Sequence, residues 1–306
     1  MDAKKQITSL PSLIRCGDVL QTELSVLAEE IATRLIRAVA HFVYLKEFTH
    51  MLDSRDPNID YSLDAGVFVL KINRPEKKNA LLPGMYAALA EGLRWADESD
   101  DVRVTLIRGV DNCFTSGNDV NGFVSNEADS SKGRPSQDLM HALNESKKPI
   151  VAAISGLAIG IGTTLLFHCD LVYASRECFL QMPFTRLGLC PEAGSSYLLP
   201  RQIGHQRASE MLLLGDRMSA EQARDYGVVN EVLDQAEYLD YAMTKARQLA
   251  ALPADSVQTS KRLIKTGSAE ATSAVINDEL IEFNRLLQTP EAQAIVQAFL
   301  AKSAAK

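Results

Sequence analysis

The order of apolar and polar segments predicts an α/β fold, with a helical extension before it and a helical region after it. From about residue 60, short β-rich runs alternate with longer segments of helical periodicity, the pattern of an α/β core. The 306 residues, 46% of them apolar, suffice for one large domain with an appendage. We therefore predict an N-terminal helical extension, a core and a C-terminal helical region at residues 1–58, 59–250 and 251–306.

The N-terminal extension is predicted to contain a helix over residues 19–50. Leu24, Leu27 and Ile31 recur at three- and four-residue spacing, with charged residues elsewhere around the helix. The breaker-rich stretch 53–58 ends this pattern. A helical extension that packs on its own subunit or on a neighbour is a simpler interpretation than a ligand-binding role.

The core is predicted to alternate strands with helices. Strands are expected where aliphatic and β-branched residues cluster in short runs, at residues 67–72, 104–109, 150–154 and 171–174. Helices are expected between and after them, at residues 83–98, 163–169, 205–214, 219–226, 237–251, 254–266 and 270–301. Residues 126–137 are polar and contain Gly133 and Pro135, which favours a mobile loop beside the site.

Composition excludes several functional classes. The formal net charge of −7 and the pI near 5.4 disfavour binding to nucleic acid or to an anionic membrane surface. The five cysteines lack CxxC spacing, and no histidine pairs with a carboxylate at metal-ligand spacing, so neither a disulfide framework nor a metal site is expected. No apolar run is long enough to span a membrane, and the N-terminus lacks the pattern of a secretory signal. These features favour a cytoplasmic protein.

Two glycine-containing turns are candidate functional elements. The first is Cys113–Asp119 and the second is Gly160–Ile161–Gly162, which precedes a predicted helix. In the second turn the glycines allow a ligand to approach the backbone, and the helix directs its free N–H groups and positive dipole end to the same place. Either turn alone is a weak signal, because Gly160–Gly162 lacks the third glycine and the ribose-binding acid of a dinucleotide fingerprint.

Glu192 is the third candidate element. It lies between Pro191 and a small-residue turn, about 30 residues after the second glycine turn. A lone glutamate in a loop is usually a solvated charge. Here the two turns upstream can each supply a backbone N–H donor, and one base with two such donors suffices to move a proton next to a carbonyl group.

Several motifs, taken in order along the chain, resemble the crotonase (enoyl-CoA hydratase/isomerase) superfamily. The resemblance covers about residues 62–302, and residues 1–58 have no counterpart in the family pattern. The matching segments are Ile72–Pro75 with Asn79–Ala80, Phe114–Asp119, Ile154–Gly156 with Ala158–Gly160, Cys169–Ser175, Pro183, Leu187–Gly188, Leu214–Ala223 and Tyr226–Asn230. The resemblance implies a crotonase-like spiral of ββα turns with a C-terminal helical trimerisation region, and thus a homotrimer or a hexamer.

The resemblance also implies an acyl-CoA thioester substrate, so that coenzyme A enters as part of the substrate and no separate cofactor is needed. It assigns the backbone N–H groups of Asn118 and Ile161 as donors to the thioester oxygen. It places the adenine and pantetheine end of the substrate at Lys77, Lys78 and Ala80, and the CoA phosphates near the C-terminal lysines Lys261, Lys265 and Lys302.

The acid–base positions favour an isomerase within this family. A typical hydratase uses two glutamates, which by resemblance would fall at Thr164 and Phe184. Neither is an acid, so these residues are expected to line a pocket that excludes water from the reacting carbons. Glu192 resembles the single glutamate of the Δ3,Δ2-enoyl-CoA isomerases, which carries a proton from C2 to C4 of a 3-enoyl thioester. A role in fatty acid β-oxidation follows from this resemblance.

Two alternatives stay open on the sequence alone. One is another acyl-CoA reaction of the same fold, either hydration with Glu192 alone or dehalogenase- or hydrolase-like chemistry with a carboxylate nucleophile near position 192. The other is a non-catalytic binding protein, against which the acidic pI and the presence of Glu192 argue.

Overall fold

Two β-sheets organise the part of the chain that the computed structural model describes, residues 54–123 and 134–304. These residues belong to one compact unit, Ser54–Lys306. The predicted N-terminal extension lies almost entirely outside the described residues, so the extension and the division at residue 250 remain predictions. The described strands are β1 (Ile59–Asp64), β2 (Val67–Ile72), β3 (Val104–Arg108), β4 (Ile150–Ile154), β5 (Leu157–Ile159), β6 (Leu171–Ser175), β7 (Phe179–Gln181), β8 (Arg217–Ser219) and β9 (Glu231–Leu233).

The described helices follow or separate these strands, and after β9 all the described elements are helices. None of the helices within residues 54–123 and 134–304 combines the length and the apolar character that a membrane span requires. The helices are α1 (Pro83–Glu98), α2 (Pro135–Glu145), α3 (Ile161–Thr164), α4 (Ser195–Ile203), α5 (His205–Ser209), α6 (Ala220–Asp225), α7 (Tyr238–Ala250), α8 (Ala254–Thr266), α9 (Ala269–Leu287) and α10 (Pro290–Ala304).

The larger sheet has the strand order β1-β2-β3-β4-β6-β9, and all its pairs are parallel except β1 with β2. Its central strands are near-continuous apolar runs, as expected for parallel strands that are covered on both faces. Val67 and Val69 of β2 pack with α7 on one face. Phe68 contacts Trp95 of α1 on the other face, with 4.8 Å between the ring centroids.

The smaller sheet, with the order β5-β7-β8, leads directly into the second glycine turn. Strand β5 ends at Ile159, and the N–H of Gly160 then donates to the carbonyl of Gln181 in β7, at 2.9 Å. The pairing of β5 with β7 therefore fixes where the turn lies. None of the three strands of this sheet is predicted from the sequence, because three residues are too few to show a β period.

Two predicted helices and one predicted loop differ from the structure in their bounds. The helix predicted over residues 270–301 is two helices, α9 and α10, because Pro290 begins a new helix at its first position and has no N–H to continue the old one. The helix predicted over 163–169 is the short α3 followed by a 3₁₀ turn, Leu165–His168. The loop predicted over 126–137 ends earlier, since α2 begins at Pro135, and residues 124–133 lie outside the described part.

Asn79 connects the loop after β2 to the loop after β3. Its side chain is fully buried, with its oxygen 2.7 Å from the N–H of Arg74 and its amide group 2.9 to 3.1 Å from the carbonyls of Ile72, Cys113 and Phe114. Its backbone lies in the left-handed region, with φ of 54°. One side chain thus supplies polar partners to backbone groups from two loops that both carry candidate site residues.

Replacing Asn79 with alanine should lower the free energy of unfolding by about 3 kcal/mol or more, because buried backbone groups lose their partner. Asn112 provides the matched control: it has a similar left-handed φ of 59°, but it is exposed. Asn112→Ala should therefore cost about 1 kcal/mol or less. Urea denaturation of both variants measures the difference, and equal losses would contradict the role given to the Asn79 side chain.

Candidate active site

The first glycine turn lies against strand β5, the strand that leads into the second glycine turn. The N–H of Ile159 donates to the carbonyl of Thr115 at 3.0 Å, and Thr115 donates in turn to Leu157 at 3.0 Å. A Cβ atom at Gly117 would lie 2.7 Å from the carbonyl oxygen of Ile159, and φ at Gly117 is +87°. Position 117 therefore has no room for a side chain, and this contact brings Asn118 next to the turn at residues 160–162.

The N–H groups of Asn118 and Ile161 have no acceptor in the described part of the chain. Asn118 pairs with Leu81 in an isolated parallel bridge, in which Leu81 bonds to Gly117 and Asp119 and leaves the N–H between them unused. Ile161 is the first residue of α3, where an N–H group has no intrahelical acceptor. Both backbone donors are thus unpaired among the described residues, and their role toward a thioester oxygen stays a prediction.

The turn before Ile161 depends on glycine. Gly160 has φ of 58° and ψ of −121°, a combination that essentially only glycine adopts. A Cβ atom at Gly162 would lie 2.5 Å from the Thr115 side chain. Gly160 therefore allows the turn to adopt its conformation, and Gly162 allows the turn to lie against the first loop.

Asp119 stabilises the loop that carries Asn118. Its carboxylate accepts a hydrogen bond from Arg74 at 2.8 Å, and both side chains are mostly buried. Burial by itself would raise the pKa of Asp119, but the bonds from Arg74 and Asn121 outweigh it and hold the pKa below its usual range. The ion pair joins the loop after β2 to the first glycine turn.

Glu192 is buried, with 8% of its surface exposed, and its carboxyl group has no hydrogen-bond partner among the described residues. Burial, and to a lesser extent the negative charge of Glu279, raises its pKa to about 8. The charge of Glu192 in turn contributes to raising the pKa of Tyr86, a buried residue of α1, although burial is the main cause there. Glu192 is therefore a carboxyl group inside the protein with elevated basicity.

The backbone after Glu192 is held from both sides. Ala193 and Gly194 both have left-handed φ, 59° and 71°. The carbonyl of Ala193 accepts from Nε2 of the buried His168 at 2.8 Å, and the N–H of Gly194 donates to the Glu279 carboxylate at 2.6 Å. Burial lowers the pKa of His168 to about 4, so its imidazole is neutral and Nε2 carries the donated proton.

Glu279, on α9, also binds the first turn of α4. Its carboxylate accepts from the backbone N–H of Ser196 at 2.9 Å and from the Ser196 hydroxyl. Burial raises the pKa of Glu279, against the opposing effect of these donors. Glu279 is not predicted from the sequence, because an acid on an amphipathic helix resembles a solvated charge. Nothing in the pattern links it to a loop 85 positions earlier.

Thr164 and Phe184 are both buried, at 0% and 5% exposure. Thr164 ends α3, the helix that Ile161 begins, and its hydroxyl has no partner within residues 54–123 and 134–304. Neither residue is an acid, and on this feature of the sequence the preference for an isomerase is based. Their predicted contact with substrate stays a prediction.

Lys77, Lys78 and Ala80 lie in the loop that Asn79 anchors. Both lysines are exposed, and neither forms an ion pair with an acid in the described residues. The carbonyl of Lys78 accepts from the N–H of Ser116 at 3.0 Å, which places this loop beside the first glycine turn. The loop thus presents two exposed lysines that have no ion-pair partner among the described residues, and their contact with a phosphate-bearing ligand stays a prediction.

The placement of Lys261 argues against its predicted contact with a CoA phosphate. Its side chain is 95% buried or more, and its ammonium group donates to Asp170 at 2.8 Å and to the carbonyl of Lys148 at 2.7 Å. A lysine with two internal partners is not free to bind a phosphate in solvent. Lys265 is similar, since it donates to Asn144 at 2.8 Å, whereas Lys302 is exposed.

The chain is similar in sequence to known acyl-CoA enzymes. The enoyl-CoA hydratase/isomerase family model matches residues 62–306. Over 244 residues the chain is 32% identical to enoyl-CoA delta isomerase 2 of Rattus norvegicus, which covers 78% of this chain and 62% of the rat protein. Over 247 residues it is 33% identical to 1,2-epoxyphenylacetyl-CoA isomerase of Escherichia coli (strain K12), covering 78% of this chain and 94% of that protein.

It is also similar to solved structures. Pseudomonas aeruginosa OdaA superimposes with a TM-score of 0.77 at 44% identity, over 80% of this chain and 99% of OdaA. The chain thus spans less than two thirds of the rat isomerase but nearly the whole length of the two bacterial proteins.

The raised pKa of Glu192 predicts how stability depends on pH. Between pH 4.5 and about 8, the folded state holds a proton on Glu192 that the unfolded state has released, so stability falls as pH rises through this window. Glu192→Gln removes this effect. The variant should match the wild type near pH 4.5 and exceed it progressively up to pH 8, by about 1 kcal/mol per pH unit. Urea denaturation across the window measures the difference, and a pH-independent difference would contradict the shift.

Proposed function

The chain belongs to the enoyl-CoA hydratase/isomerase family, and we propose that it isomerises 3-enoyl-CoA to trans-2-enoyl-CoA. The family match and the similarity to OdaA also confirm the crotonase fold that the sequence predicted. The observation that carries the proposal is the buried carboxyl group of Glu192, which has no hydrogen-bond partner among the described residues, combined with the lack of an acid at Thr164 and Phe184. One base suffices for isomerisation, whereas ordinary hydration in this family needs two acids.

In the proposed reaction, Glu192 removes a proton from C2 of the 3-enoyl thioester. The C2–H bond breaks, an O–H bond forms on the carboxyl group, and the electron pair moves toward the thioester oxygen to give a conjugated enolate. Glu192 then returns the proton to C4. The electron pair of the former C3–C4 double bond forms the new C4–H bond, while the double bond shifts to C2–C3 and the thioester carbonyl is restored.

The enolate oxygen would accept hydrogen bonds from the N–H groups of Asn118 and Ile161. Both groups lack another acceptor among the described residues, so their binding capacity is available without breaking an existing bond. Donors that are already in place when charge develops on the oxygen stabilise the transition state more than donors that must reorganise. The positive end of the α3 dipole adds to this effect, although the helix is short.

The substrate would bind through its CoA part at the loop of Lys77, Lys78 and Ala80, with Thr164 and Phe184 beside the reacting carbons. Exposed lysines of this loop match the negative charge of the CoA phosphates. Coenzyme A then belongs to the substrate, and the reaction requires no other cofactor. A role in fatty acid β-oxidation, a cytoplasmic location and a homotrimer or hexamer remain part of this proposal.

Glu192→Gln should abolish most of the isomerisation of 3-hexenoyl-CoA, because the amide cannot accept a proton. We expect kcat to fall by about 10² to 10⁴-fold, measured from the absorbance of the conjugated product. Glu145→Gln, at an exposed position of α2, is the matched control and should retain wild-type activity. Turnover close to the wild type in a folded Glu192→Gln variant would reject the proposal, and efficient hydration of crotonyl-CoA by the wild type would favour a hydratase.

The pH dependence of the reaction should show the basicity of Glu192. Since the base must be ionised to accept the C2 proton, kcat/KM should rise about tenfold per pH unit at low pH and level off near the Glu192 pKa of about 8. A stopped assay across pH 5.5 to 9 checks this expectation (the range brackets that pKa). A value of kcat/KM that is already constant over this whole range would mean that the base has the ordinary pKa of a solvated glutamate.

A further inference from the structure

We propose that His168 and Glu279 are positioning residues, which fix the direction of the Glu192 carboxyl group by holding the peptide group between Ala193 and Gly194 from both sides. The inference deepens the proposed function and rests on it, since it takes Glu192 as the base. Neither residue needs to contact the substrate for this role.

The two hydrogen bonds act on one rigid unit. His168 donates to the carbonyl of Ala193 at 2.8 Å, and Glu279 accepts from the N–H of Gly194 at 2.6 Å. Both groups belong to the same planar peptide, so the two bonds fix its orientation about the chain axis. This peptide lies one residue after Glu192. Its orientation therefore restricts the position of the Glu192 Cα atom and the direction of its Cα–Cβ bond.

The backbone at this point would not keep its conformation without external partners. Ala193 has φ of 59°, in the left-handed region where a residue with a Cβ atom loses about 1 to 2 kcal/mol relative to its preferred conformations. Gly194 follows with φ of 71°, and a Cβ atom there would lie 2.9 Å from the Thr272 side chain. A conformation of this kind persists where the surroundings impose it, and such strain is concentrated at functional sites.

His168 also connects the base to the oxyanion donors. It ends the 3₁₀ turn that continues α3, and α3 begins at Ile161. The short segment 161–168 thus carries an unpaired donor at one end and the bond to Ala193 at the other. The distance between a base and the oxyanion donors matters, because a misplacement of about 1 Å can cost about 10²-fold in rate.

Glu279 adds an electrostatic effect to the positional one. Its buried carboxylate is bound at the N-terminus of α4, and its charge contributes to the raised pKa of Glu192. Tyr86 on α1 and Cys190 in the same loop are also titratable groups near the pair, and their pKa values are raised mainly by burial. Glu282, on the same helix as Glu279, acts on Cys190 as well. Lys261 and Lys265 act on His168, but burial dominates its low pKa.

The first test uses the bond from His168. His168→Leu removes the donor, and we expect kcat for 3-hexenoyl-CoA to fall about 10- to 100-fold with KM little changed. His168→Gln retains an N–H group at a similar distance from the Ala193 carbonyl and should recover most of the loss. Circular dichroism and thermal melting establish that each variant is folded.

The second test uses the charge of Glu279. Glu279→Gln keeps the shape of the side chain but removes its charge, so the midpoint of the kcat/KM pH profile should move to lower pH while kcat at high pH falls. Asn144→Ala is the matched control: it removes a 3.0 Å side-chain bond to Ala269, at the start of the same helix α9, and should change neither quantity.

The outcomes separate this inference from the proposed function. If the wild type does not isomerise 3-enoyl-CoA, or Glu192→Gln remains active, the proposed function fails. If Glu192→Gln is inactive while folded His168→Leu and Glu279→Gln retain the wild-type kcat and pH midpoint, only the positioning role is overturned. Equal losses in His168→Leu and His168→Gln would overturn the role of the hydrogen bond. If His168→Leu does not fold, His168→Gln and Glu279→Gln decide the matter.

Discussion

The candidate site depends on one close approach of two backbone segments, at Gly117 against Ile159. A Cβ atom at position 117 would lie 2.7 Å from the Ile159 carbonyl oxygen, so the approach requires glycine. Beside it, the N–H groups of Asn118 and of the buried Ile161 have no acceptor among the described residues, whereas buried backbone donors are almost always satisfied. The surrounding bonds compensate: Leu81 binds on both sides of Asn118, and Gly160 binds Gln181 before Ile161. These backbone hydrogen bonds hold the two loops in place, so both donors stay available to a ligand oxygen.

The part of the site around Glu192 also has features that stability alone would not favour. Glu192 is a buried carboxyl group without a hydrogen-bond partner among the described residues, and the following Ala193 has a left-handed backbone. Each feature costs free energy in an unliganded protein. Features of this kind usually accompany a functional site, where local rules are broken and the neighbouring structure compensates. For the backbone at Ala193 the compensating contacts come from His168 and Glu279, which lie on two different parts of the chain.

The sequence predicted those parts of the fold and site that have a local signature. Helix α1 follows from its helical periodicity, and strands β2 and β4 follow from their short apolar runs. The turn at Gly160 and the acid at Glu192 stand out as motifs. The three-residue strands β5, β7 and β8 have no period to detect. Lys261 could not be placed, because an amphipathic helix does not show that its ammonium group turns inward to Asp170, 91 positions away. Glu279 was missed for the same reason, since its function depends on a tertiary contact.

A pKa near 8 suits a carboxyl group that must both remove and return a proton. A solvated glutamate is a weak base for a C–H proton, and raising its pKa by burial strengthens proton removal. The limit is set by ionisation, since at pH 7 about one tenth of a group with this pKa carries the charge it needs. Burial alone would leave the orientation of the carboxyl group undetermined. Glu279 contributes to both requirements from one position, because its charge adds to the effect of burial on the pKa of Glu192 while its hydrogen bonds hold the backbone that directs the side chain.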